Sequence, residues 1–417
     1  MKVLIVTKPI LNIRKESVYY CFRYQLAKEF LDSQHMPSRQ FENAINLPCL
    51  EVLEKVGLDG LTNGFPLLVP VSMMTLLSDV TRQCTQPPEK VIFLLDHQLE
   101  LDDSFYGCIS GLKKAGFRFA IENVKDYDAM KPLVDLCDMI LISFARNRNA
   151  MEEYQRMSRI YTKKEFVASD IDAIPTFEKI KFSGFNLFEG KFTALPIVKG
   201  GNTIAPVKVN RIQLMNLVRE PDFAIDEVVK IVSRDPSLSI SLLKMVNSPY
   251  LALNQKIKNI SQAVAFLGQN EMRKWVVTAT TGMLADDKPL EITRISLIRA
   301  KFAENLAPLF EKAIHAPSLF LMGLFSILDV LLEMSMYSAL KVVSVPDVIQ
   351  EALIYNDGDF APVLNLILRY EAADWSEVKR LLMMTDIDVE DVYNAYIGAV
   401  QWYTSVVSYD GTEESEA

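Results

Sequence analysis

Histidine, the side chain most often used for acid-base and metal chemistry near neutral pH, is scarce in this chain of 417 residues. The three histidines, His35, His97 and His315, lie far apart and in different local contexts. His97 follows Asp96 after an apolar run, so it is either a general base or a partly exposed residue that ends a strand, and we favour the second interpretation. A hydrolase that binds its metals through an adjacent His-Asp pair and further histidines is excluded, because the second half contains only His315.

Two pairs of acidic and amide residues could bind a hard cation. If the chain forms an α/β barrel, Asp102-Asp103 and Glu122-Asn123 would lie at its mouth, where strand ends carry catalytic groups. A magnesium site needs several converging oxygens, however, and the neighbouring strand ends offer Leu94, Leu141 and Ser143. We therefore interpret both pairs as solvated turns, and we predict no catalytic, cofactor-binding or metal-binding residues and no cofactor.

Short motifs of the common enzyme classes are missing from the sequence. It contains no H-E-x-x-H, P-loop, G-x-G-x-x-G or G-x-S-x-G pattern, so zinc-protease, Walker-type, dinucleotide-binding and nucleophile-elbow chemistry have no support. The cysteines all fall in the first half, are odd in number and include no C-x-x-C pair. We predict that they are reduced and mostly buried; they are Cys21, Cys49, Cys84, Cys108 and Cys137.

The chain is acidic, and its charged side chains are unevenly distributed. The formal net charge is -9, which leaves no basic excess for neutralising phosphates, so we predict no nucleic-acid partner. Residues 1–205 contain 25 basic and 25 acidic side chains, whereas residues 206–417 contain 19 basic and 28 acidic ones. Part of this excess lies in a polar tail at 408–417, which we predict to be disordered.

Short apolar runs alternate with helical patterns in the first half. Strand patterns occur at 91–95, 117–121, 139–142 and 165–168, and helical spacing occurs at 105–115, 128–136 and 150–160. Parallel strands need a crossover of about this length, so the rhythm predicts a parallel α/β sheet. A closed barrel and an open doubly wound sheet both fit.

The pattern changes at 196–206, where two glycines and two prolines indicate a connection between domains. Beyond it, apolar residues recur at spacings of three and four, which predicts helices; these are 210–220, 225–233, 237–246, 261–267, 270–284, 291–313 and 318–336. The fold class predicted from the residues is therefore α/β plus all-α. The N-terminus has no long apolar segment and no run is long enough to span a bilayer, so we predict a cytoplasmic protein without a membrane span.

Several strings in the second half resemble the bacterial EAL-HDOD signalling proteins of the YuxH type, and the resemblance extends from about Val3 to Val407. LLKMVNSP at 242–249 and ISQAVAFLG at 260–268 resemble the HDOD signature, and GLFSILD at 323–329 and RYEAADW at 369–375 resemble segments of the YuxH-type subgroup. An HDOD domain keeps the helical scaffold of the His-Asp hydrolases without their metal ligands. Ser326-Ile327 stands in the place of the His-Asp pair, so the resemblance implies an interaction and signalling module.

The first half is similar to an EAL domain, a (β/α) barrel that in active members hydrolyses cyclic di-GMP with two metal ions. KPI at 8–10 resembles its opening strand, GFRFAIEN at 116–123 its central strand, and GFNLFEG at 184–190 its closing strand. Most residues that the family uses have no counterpart here. Its Glu-Ala-Leu motif falls on 21–23 and its Asp-Asp pair on 122–123, and the positions of its other metal ligands and its catalytic Lys hold Pro70, Leu94, Leu141 and Ser169.

Only Glu122 keeps a carboxylate at one of the family's metal positions, and Glu189 stands where the family usually carries Gln. Two-metal hydrolysis needs fixed carboxylates around both cations. The resemblance therefore implies a degenerate EAL domain, and we predict that the chain is not an enzyme.

Our interpretation is a degenerate EAL domain at 1–203, an HDOD domain at 206–407 and an acidic tail at 408–417. We predict a non-catalytic signalling protein that binds a protein partner through the HDOD domain, with a barrel that can form a homodimer, in pathways linked to cyclic di-GMP. Two alternatives remain open: a cyclic di-GMP receptor without hydrolysis, for which Arg23 is a candidate contact, and a residual phosphodiesterase that uses Glu122 and Glu189.

Overall fold

The computed structural model of the chain describes residues 3–26, 50–77, 84, 86–96, 103–124, 126–195, 214–215, 217–218, 222–234, 236–247, 257, 259–284, 290–343 and 345–407. Several sequence predictions fall outside these residues: those for the connection at 196–206, the acidic tail at 408–417, His35, His97, Cys49 and Asp102.

Eight strands close into a barrel in which each strand pairs with the next along the chain and the last pairs with the first. They are β1 Val3–Asn12, β2 Ser17–Leu26, β3 Leu67–Pro70, β4 Val91–Asp96, β5 Arg118–Glu122, β6 Met139–Ser143, β7 Glu165–Ser169 and β8 Leu187–Glu189. β1 runs antiparallel to both neighbours, whereas β2 to β8 are mutually parallel. The start of β1 and the carboxyl ends of the other strands therefore meet at one end, which we call the mouth.

Side chains alternate between the two faces of each strand, and this alternation decides what fills the barrel. Residues from all eight strands form a buried interior cluster: Ile10, Tyr19, Cys21, Leu68, Ile92, Leu94, Ala120, Met139, Leu141, Val167 and Leu187. The next positions on the same faces, one step toward the mouth, are mostly polar: Lys8, Arg23, Pro70, Asp96, Glu122, Ser143, Ser169 and Glu189. The apolar interior thus ends in a ring of polar and charged side chains.

Helices follow most of the parallel strands, as crossover connections require. They are α1 Leu50–Thr62, α2 Met73–Leu77, α3 Asp103–Lys114, α4 Lys131–Leu136, α5 Ala150–Ile160 and α6 Ile174–Ile180. The remaining helices are α7 Ile225–Arg234, α8 Pro236–Val246, α9 Ile260–Leu284, α10 Leu290–Leu306, α11 Ala316–Phe325, α12 Leu328–Leu332, α13 Met336–Val343, α14 Asp347–Gln350, α15 Ala361–Glu371, α16 Trp375–Thr385 and α17 Val389–Val407. No helix in the described residues is long and apolar enough to cross a bilayer.

The chain forms two compact units, and their division does not follow the order of the sequence. The barrel unit comprises Met1–Leu195 together with Leu368–Ile397, and the helical unit comprises Pro196–Ile367 together with Gly398–Ala417. Residues 368–397, which the sequence placed within the helical domain, therefore pack with the barrel.

The contact that joins this segment to the barrel lies on β1. β8 pairs with β1 only at Ile10–Asn12, so within the described chain no strand pairs with residues 3–9 on that edge. The backbone N–H of Ile5 donates instead to the hydroxyl of Tyr370, at 3.2 Å. Tyr370 is fully buried, and its ring contacts Trp375 and Tyr396. Tyr370 thus satisfies a backbone donor on an edge of β1 that β8 does not reach.

The predicted fold class is confirmed, since an α/β barrel precedes a helical region. The closed barrel also decides between the two sheet arrangements that the sequence left open. The four strands predicted at 91–95, 117–121, 139–142 and 165–168 are each present with bounds shifted by no more than one residue. The prediction of reduced, mostly buried cysteines is confirmed for the described ones: Cys21, Cys84 and Cys137 are free and buried, and Cys108 is free and half-buried.

Packing in the helical unit depends on a close approach of α10 and α11. A side chain on Gly323 in α11 would place its Cβ 2.4 Å from the carbonyl oxygen of Arg299 and 2.8 Å from the Cα of Ala300, both in α10. These are backbone atoms, which cannot give way without moving the helix. Only glycine therefore permits this helix–helix distance.

We expect Gly323→Ala to lower the free energy of unfolding by about 1–3 kcal/mol, the usual cost of overpacking a close contact. The matched control is Gly107→Ala in α3, where an added Cβ meets nothing within 4 Å and alanine should stabilise the helix by about 0.5–1 kcal/mol. Thermal unfolding followed by far-UV circular dichroism measures both changes. Equal effects of the two substitutions would show that α10 and α11 do not approach closely.

Candidate functional site

The mouth of the barrel is the candidate site, because it collects the charged side chains that the strand alternation points inward. Its centre is an ion pair between Arg23, near the carboxyl end of β2, and Glu122 at the end of β5. Nη1 of Arg23 lies 2.7 Å from Oε1 of Glu122 and Nη2 lies 2.8 Å from Oε2, so the pair is bidentate. Both side chains are mostly buried, with exposed fractions of 18% and 11%. Such parallel N–H···O bonds are the strongest form of ion pair in proteins.

The surroundings of Arg23 keep it charged. Burial alone lowers the pKa of a guanidinium, but the carboxylates of Glu122 and Glu189 outweigh that effect and hold the pKa of Arg23 above its ordinary value. Cys21 lies one inward position below Arg23, where burial raises the pKa of its thiol to about 12. Cys21 is therefore a neutral thiol near neutral pH and does not act as a nucleophile.

A second ion pair lies beside the first. Nζ of Lys8 on β1 is 3.9 Å from Oε1 of Glu189 at the end of β8, and Oε2 of Glu189 accepts a hydrogen bond from the backbone N–H of Asp170 at 3.1 Å. The hydroxyl of Ser143 donates to Asp170 at 2.5 Å. Glu189 is thus held from two sides, by a cation and by the loop after β7.

Gly190 fixes the end of β8 against that loop. Its φ is +150°, and an added Cβ would lie 2.2 Å from the carbonyl oxygen of Ile171. A side chain at this position would push the loop away, and the backbone N–H of Asp170 would move with it. Gly190 therefore positions Glu189 inside the mouth.

A chain of hydrogen bonds connects the ends of β4, β5 and β6. The side-chain amide of Asn123 donates to Asp96 at 3.4 Å, and the guanidinium of Arg146 donates to the amide oxygen of Asn123 at 2.7 Å. Asn123 adopts a left-handed backbone conformation with φ of 58°, which turns its side chain away from the strand direction. Asp96 and Arg146 thus add one more carboxylate and one more cation to the mouth.

The side chains at the mouth do not fit a bound divalent metal. Both oxygens of Glu122 are engaged by Arg23, and one layer deeper the barrel is lined by Leu94 and Leu141, which offer no oxygen. Hard cations such as Mg²⁺ need several converging oxygen ligands. Within the described part of the chain, no group of three or more His, Cys, Asp or Glu side chains is arranged to hold a metal ion.

The opposite end of the barrel is closed by a separate polar group. Arg118 pairs with Glu165 and also donates to the hydroxyl of Tyr19 at 3.2 Å. A cleft of about 620 Å³ opens beside it, where Lys113 and Lys164 donate to carbonyl oxygens at the end of α4. Cations at a helix C-terminus stabilise the helix, so we assign this group a structural role.

The helical unit carries no His-Asp pair at the position that the resemblance indicated. The hydroxyl of Ser326 donates to the carbonyl of Gly323 at 2.6 Å and accepts from Arg299 at 3.0 Å. Burial raises the pKa of the neighbouring Asp329. His315 lies elsewhere, with its ring 5.8 Å from that of Phe360.

Of the residues that the sequence singled out, Glu122, Asn123, Ser143 and Arg23 do meet at the mouth. The solvated-turn interpretation of Glu122 was wrong, because the residue is buried and its carboxylate is paired with Arg23. Sequence reasoning missed Lys8 and its pairing with Glu189. The sequence did carry a signal, because Lys8 is a charged residue two positions before Ile10 and so lies on the same inward face of β1. Which acid Lys8 meets follows only from barrel closure.

We expect the two Arg–Glu pairs to differ in their effect on stability. Arg23→Met should lower the free energy of unfolding by about 3 kcal/mol or more, because it leaves Glu122 buried without its partner. Arg118→Met removes a pair that is more than a third exposed, so it should cost about 1 kcal/mol or less. Chemical denaturation measures both. A smaller loss for Arg23→Met than for Arg118→Met would contradict the central role of the Arg23–Glu122 pair.

Comparison with known proteins shows what the parts of this chain are similar to. Residues 204–344 match the model of the HDOD domain. The chain is similar to the protein YuxH of Bacillus subtilis, with 26% identity over 415 residues that cover 96% of this chain and 98% of YuxH. It is also similar to the cyclic di-GMP phosphodiesterase CdgJ of Vibrio cholerae, with 25% identity over 321 residues that cover 76% of this chain and 74% of CdgJ.

Among solved structures, a standalone EAL protein of Vibrio cholerae O395 bound to c-di-GMP is similar with 15% identity and a TM-score of 0.35, covering 46% of this chain and 91% of that protein.

The prediction that the chain is not an enzyme is wrong, and the similarity to CdgJ, which is named a phosphodiesterase, overturns it. The sequence argument counted carboxylates only at positions matched to the family's motif. It gave no weight to Asp96 and Asp170, which the closed barrel brings to the same mouth as Glu122 and Glu189. Loss of matched ligands was therefore an insufficient ground for excluding catalysis. Residues 204–344 of this chain thus match the HDOD domain, and the chain is similar to YuxH over nearly its whole length and to CdgJ over about three quarters of it.

Proposed function

We propose that the chain acts in cyclic di-GMP signalling, that the mouth of its barrel recognises the cyclic dinucleotide, and that its helical part contacts another protein. The chain is related to cyclic di-GMP signalling proteins. The recognition of the dinucleotide and the contact with a partner are our proposals.

The observation that carries the proposal is the guanidinium of Arg23 inside the mouth. A guanidinium presents N–H groups in a planar fork that suits carboxylate and phosphate oxygens alike. Cyclic di-GMP carries two phosphodiester groups, and either could share Arg23 with Glu122. Lys8 and Arg146 supply two further positive charges at the same end of the barrel.

We expect the full chain to bind cyclic di-GMP in isothermal titration calorimetry and Arg23→Met to bind it roughly 10- to 100-fold more weakly, since a hydrogen-bonded charge contributes that much. Arg118→Met is the matched control, because it removes an Arg–Glu pair from the opposite end of the barrel. Equal weakening by both substitutions would place binding away from the mouth, and no binding by the wild type would refute recognition of the dinucleotide.

A second candidate function is hydrolysis of cyclic di-GMP, and the observation that favours it is the similarity to CdgJ. Glu122 and Glu189 are buried carboxylates at the mouth, and a carboxylate released from its cation can accept a proton from water. Chromatographic separation of linear products tests this function. Turnover that is lost in Glu122→Gln and in Glu189→Gln, and kept in the control Glu165→Gln, would assign the reaction to the mouth.

For the protein contact, one surface of residues 368–397, the helical segment that belongs to the barrel unit, has suitable chemistry. Met383 and Met384 at the end of α16 have exposed fractions of 66% and 71%. The turn that leads into α17 and the first turn of that helix add four exposed acids, Asp386, Asp388, Glu390 and Asp391. Methionine adapts to different partner surfaces, and acids favour basic partners through the encounter rate. We call these six residues the Met-acid surface and propose that it binds a basic protein segment.

Replacing the four acids of the Met-acid surface by Asn and Gln should slow association with the protein that the full chain captures from its native cell. The amides keep the hydrogen bond from the N–H of Glu390 to the side chain of Asp388, so the helix cap survives and only charge is removed. Association rates should also fall as salt rises, because exposed charges are screened beyond about 8 Å at physiological ionic strength.

The matched control neutralises four other exposed acids, Asp126, Glu152, Asp172 and Glu178. An equal loss of rate in this control would assign the effect to overall charge. A rate that salt does not change would leave solubility as the role of the acids.

Three further expectations stay predictions: a cytoplasmic location, a homodimer formed through the barrel, and partner binding through the HDOD domain itself. The domain bounds of 1–203 and 206–407 are also proposals. Size-exclusion chromatography with light scattering measures the oligomeric state of the full chain.

A further inference from the structure

Two cations at the mouth are already neutralised by carboxylates of the protein. Arg23 engages both oxygens of Glu122, and Nζ of Lys8 lies 3.9 Å from Oε1 of Glu189. Glu122 and Glu189 are both buried. An anion that approaches Arg23 or Lys8 therefore competes with a carboxylate, and a buried carboxylate that loses its partner is strongly disfavoured.

Arg146 differs from these two cations in its partner and in its exposure. It lies on the loop that follows β6, it is exposed, and its Nη1 donates to the side-chain oxygen of Asn123 at 2.7 Å. Within the residues that the structure describes, its guanidinium has no carboxylate partner. A guanidinium has five N–H groups, so an anion can bind Arg146 without displacing a carboxylate.

Hydrogen bonds fix the loop that carries Arg146. The backbone N–H of Arg146 donates to the hydroxyl of Ser143 at 3.1 Å, and that hydroxyl donates to Asp170 at 2.5 Å. The backbone N–H of Asn147 donates to the carbonyl oxygen of Ser143 at 3.1 Å. The loop is therefore preorganised, which lowers the entropy that it loses when it binds a ligand.

Consecutive residues of the chain hold the two guanidinium groups of the mouth. Glu122, at the end of β5, binds Arg23, and Asn123, which follows it, binds Arg146. Arg23 is mostly buried, whereas Arg146 is exposed. The mouth thus presents one inner and one outer guanidinium, each of which has the planar fork that suits phosphate oxygens.

We infer that Arg146 binds the first phosphodiester group of cyclic di-GMP and that Arg23 binds the second. Once Arg146 holds one group, the other is tethered next to Arg23, and its competition with Glu122 becomes an intramolecular step at high effective concentration. A cyclic nucleotide with a single phosphodiester group binds Arg146 alone. Arg146 therefore provides affinity for both kinds of ligand, and Arg23 provides the preference for the dinucleotide. The inference rests on the proposed recognition of cyclic di-GMP and deepens it.

The test compares cyclic di-GMP with cyclic GMP, which has the same base and one phosphodiester group, by isothermal titration calorimetry of the full chain. We expect Arg146→Gln to bind both ligands about 10-fold more weakly, since it removes a charged hydrogen bond that both ligands make. The double variant Arg23→Met/Glu122→Gln removes one positive and one negative charge together, so no carboxylate is left unpaired at Glu122. This variant should bind cyclic di-GMP roughly 10- to 100-fold more weakly and cyclic GMP as tightly as the wild type does.

Arg148→Gln is the matched control, because Arg148 is an exposed arginine of the same loop, and it should leave both affinities unchanged. An equal loss in this control would overturn the inference in favour of overall charge. Unchanged binding of cyclic di-GMP by Arg146→Gln would overturn the inference and leave the proposed recognition standing.

Two further outcomes would refute the division of roles between the arginines. One is a double variant that loses as much affinity for cyclic GMP as for cyclic di-GMP, and the other is a wild type that binds cyclic di-GMP and no cyclic GMP. A wild type that binds neither ligand would refute the inference and the proposed recognition together.

Discussion

The alternation of side chains around a closed barrel is the constraint on which the rest of the barrel unit depends. Every second residue of every strand points into a space that closure seals from water. That space is filled by apolar side chains from all eight strands, so charged residues on the inward faces can lie only at the two ends. At each end they must then find partners, because the interior beneath them offers none.

The two ends meet this demand in different ways. At one end Arg118, Glu165 and Tyr19 form a partly exposed group that closes the barrel. At the mouth the Arg23–Glu122 pair is more deeply buried and lies next to Lys8 and Glu189. A buried pair contributes less to stability than its geometry suggests, since desolvation offsets the attraction. For the function proposed above, its stronger effect is on specificity, because it sets the charge that a ligand meets at the mouth.

The helices that follow the barrel in sequence are divided between the two units. Residues 204–344 match the HDOD domain and belong to the helical unit, where the Gly323 contact sets the spacing of α10 and α11. Residues 368–397 lie beyond that match and pack with the barrel, where Tyr370 satisfies the N–H of Ile5 on an edge that β8 does not reach. The barrel unit thus depends on the last part of the chain. The Met-acid surface lies within residues 368–397.

Local patterns in the sequence determined the elements. Apolar runs of four or five residues predicted β4 to β7 within a residue, since continuous apolar runs and crossover spacing can be read from short segments. The single histidine of the second half excluded a His-Asp metal site there without any structure. Charged residues on inward strand faces, Lys8 and Arg23 among them, were also visible in the sequence.

Only the tertiary structure decided which of these charges meet. Arg23 and Glu122 are 99 residues apart and Ile5 and Tyr370 are 365 apart, and no local pattern specifies a partner at such distances. The interpretation of Glu122 as a solvated residue failed for this reason, and so did the exclusion of catalysis from position-by-position matching. Burial and pairing are set by which strand ends a closed barrel brings together, and barrel closure is a property of the whole chain.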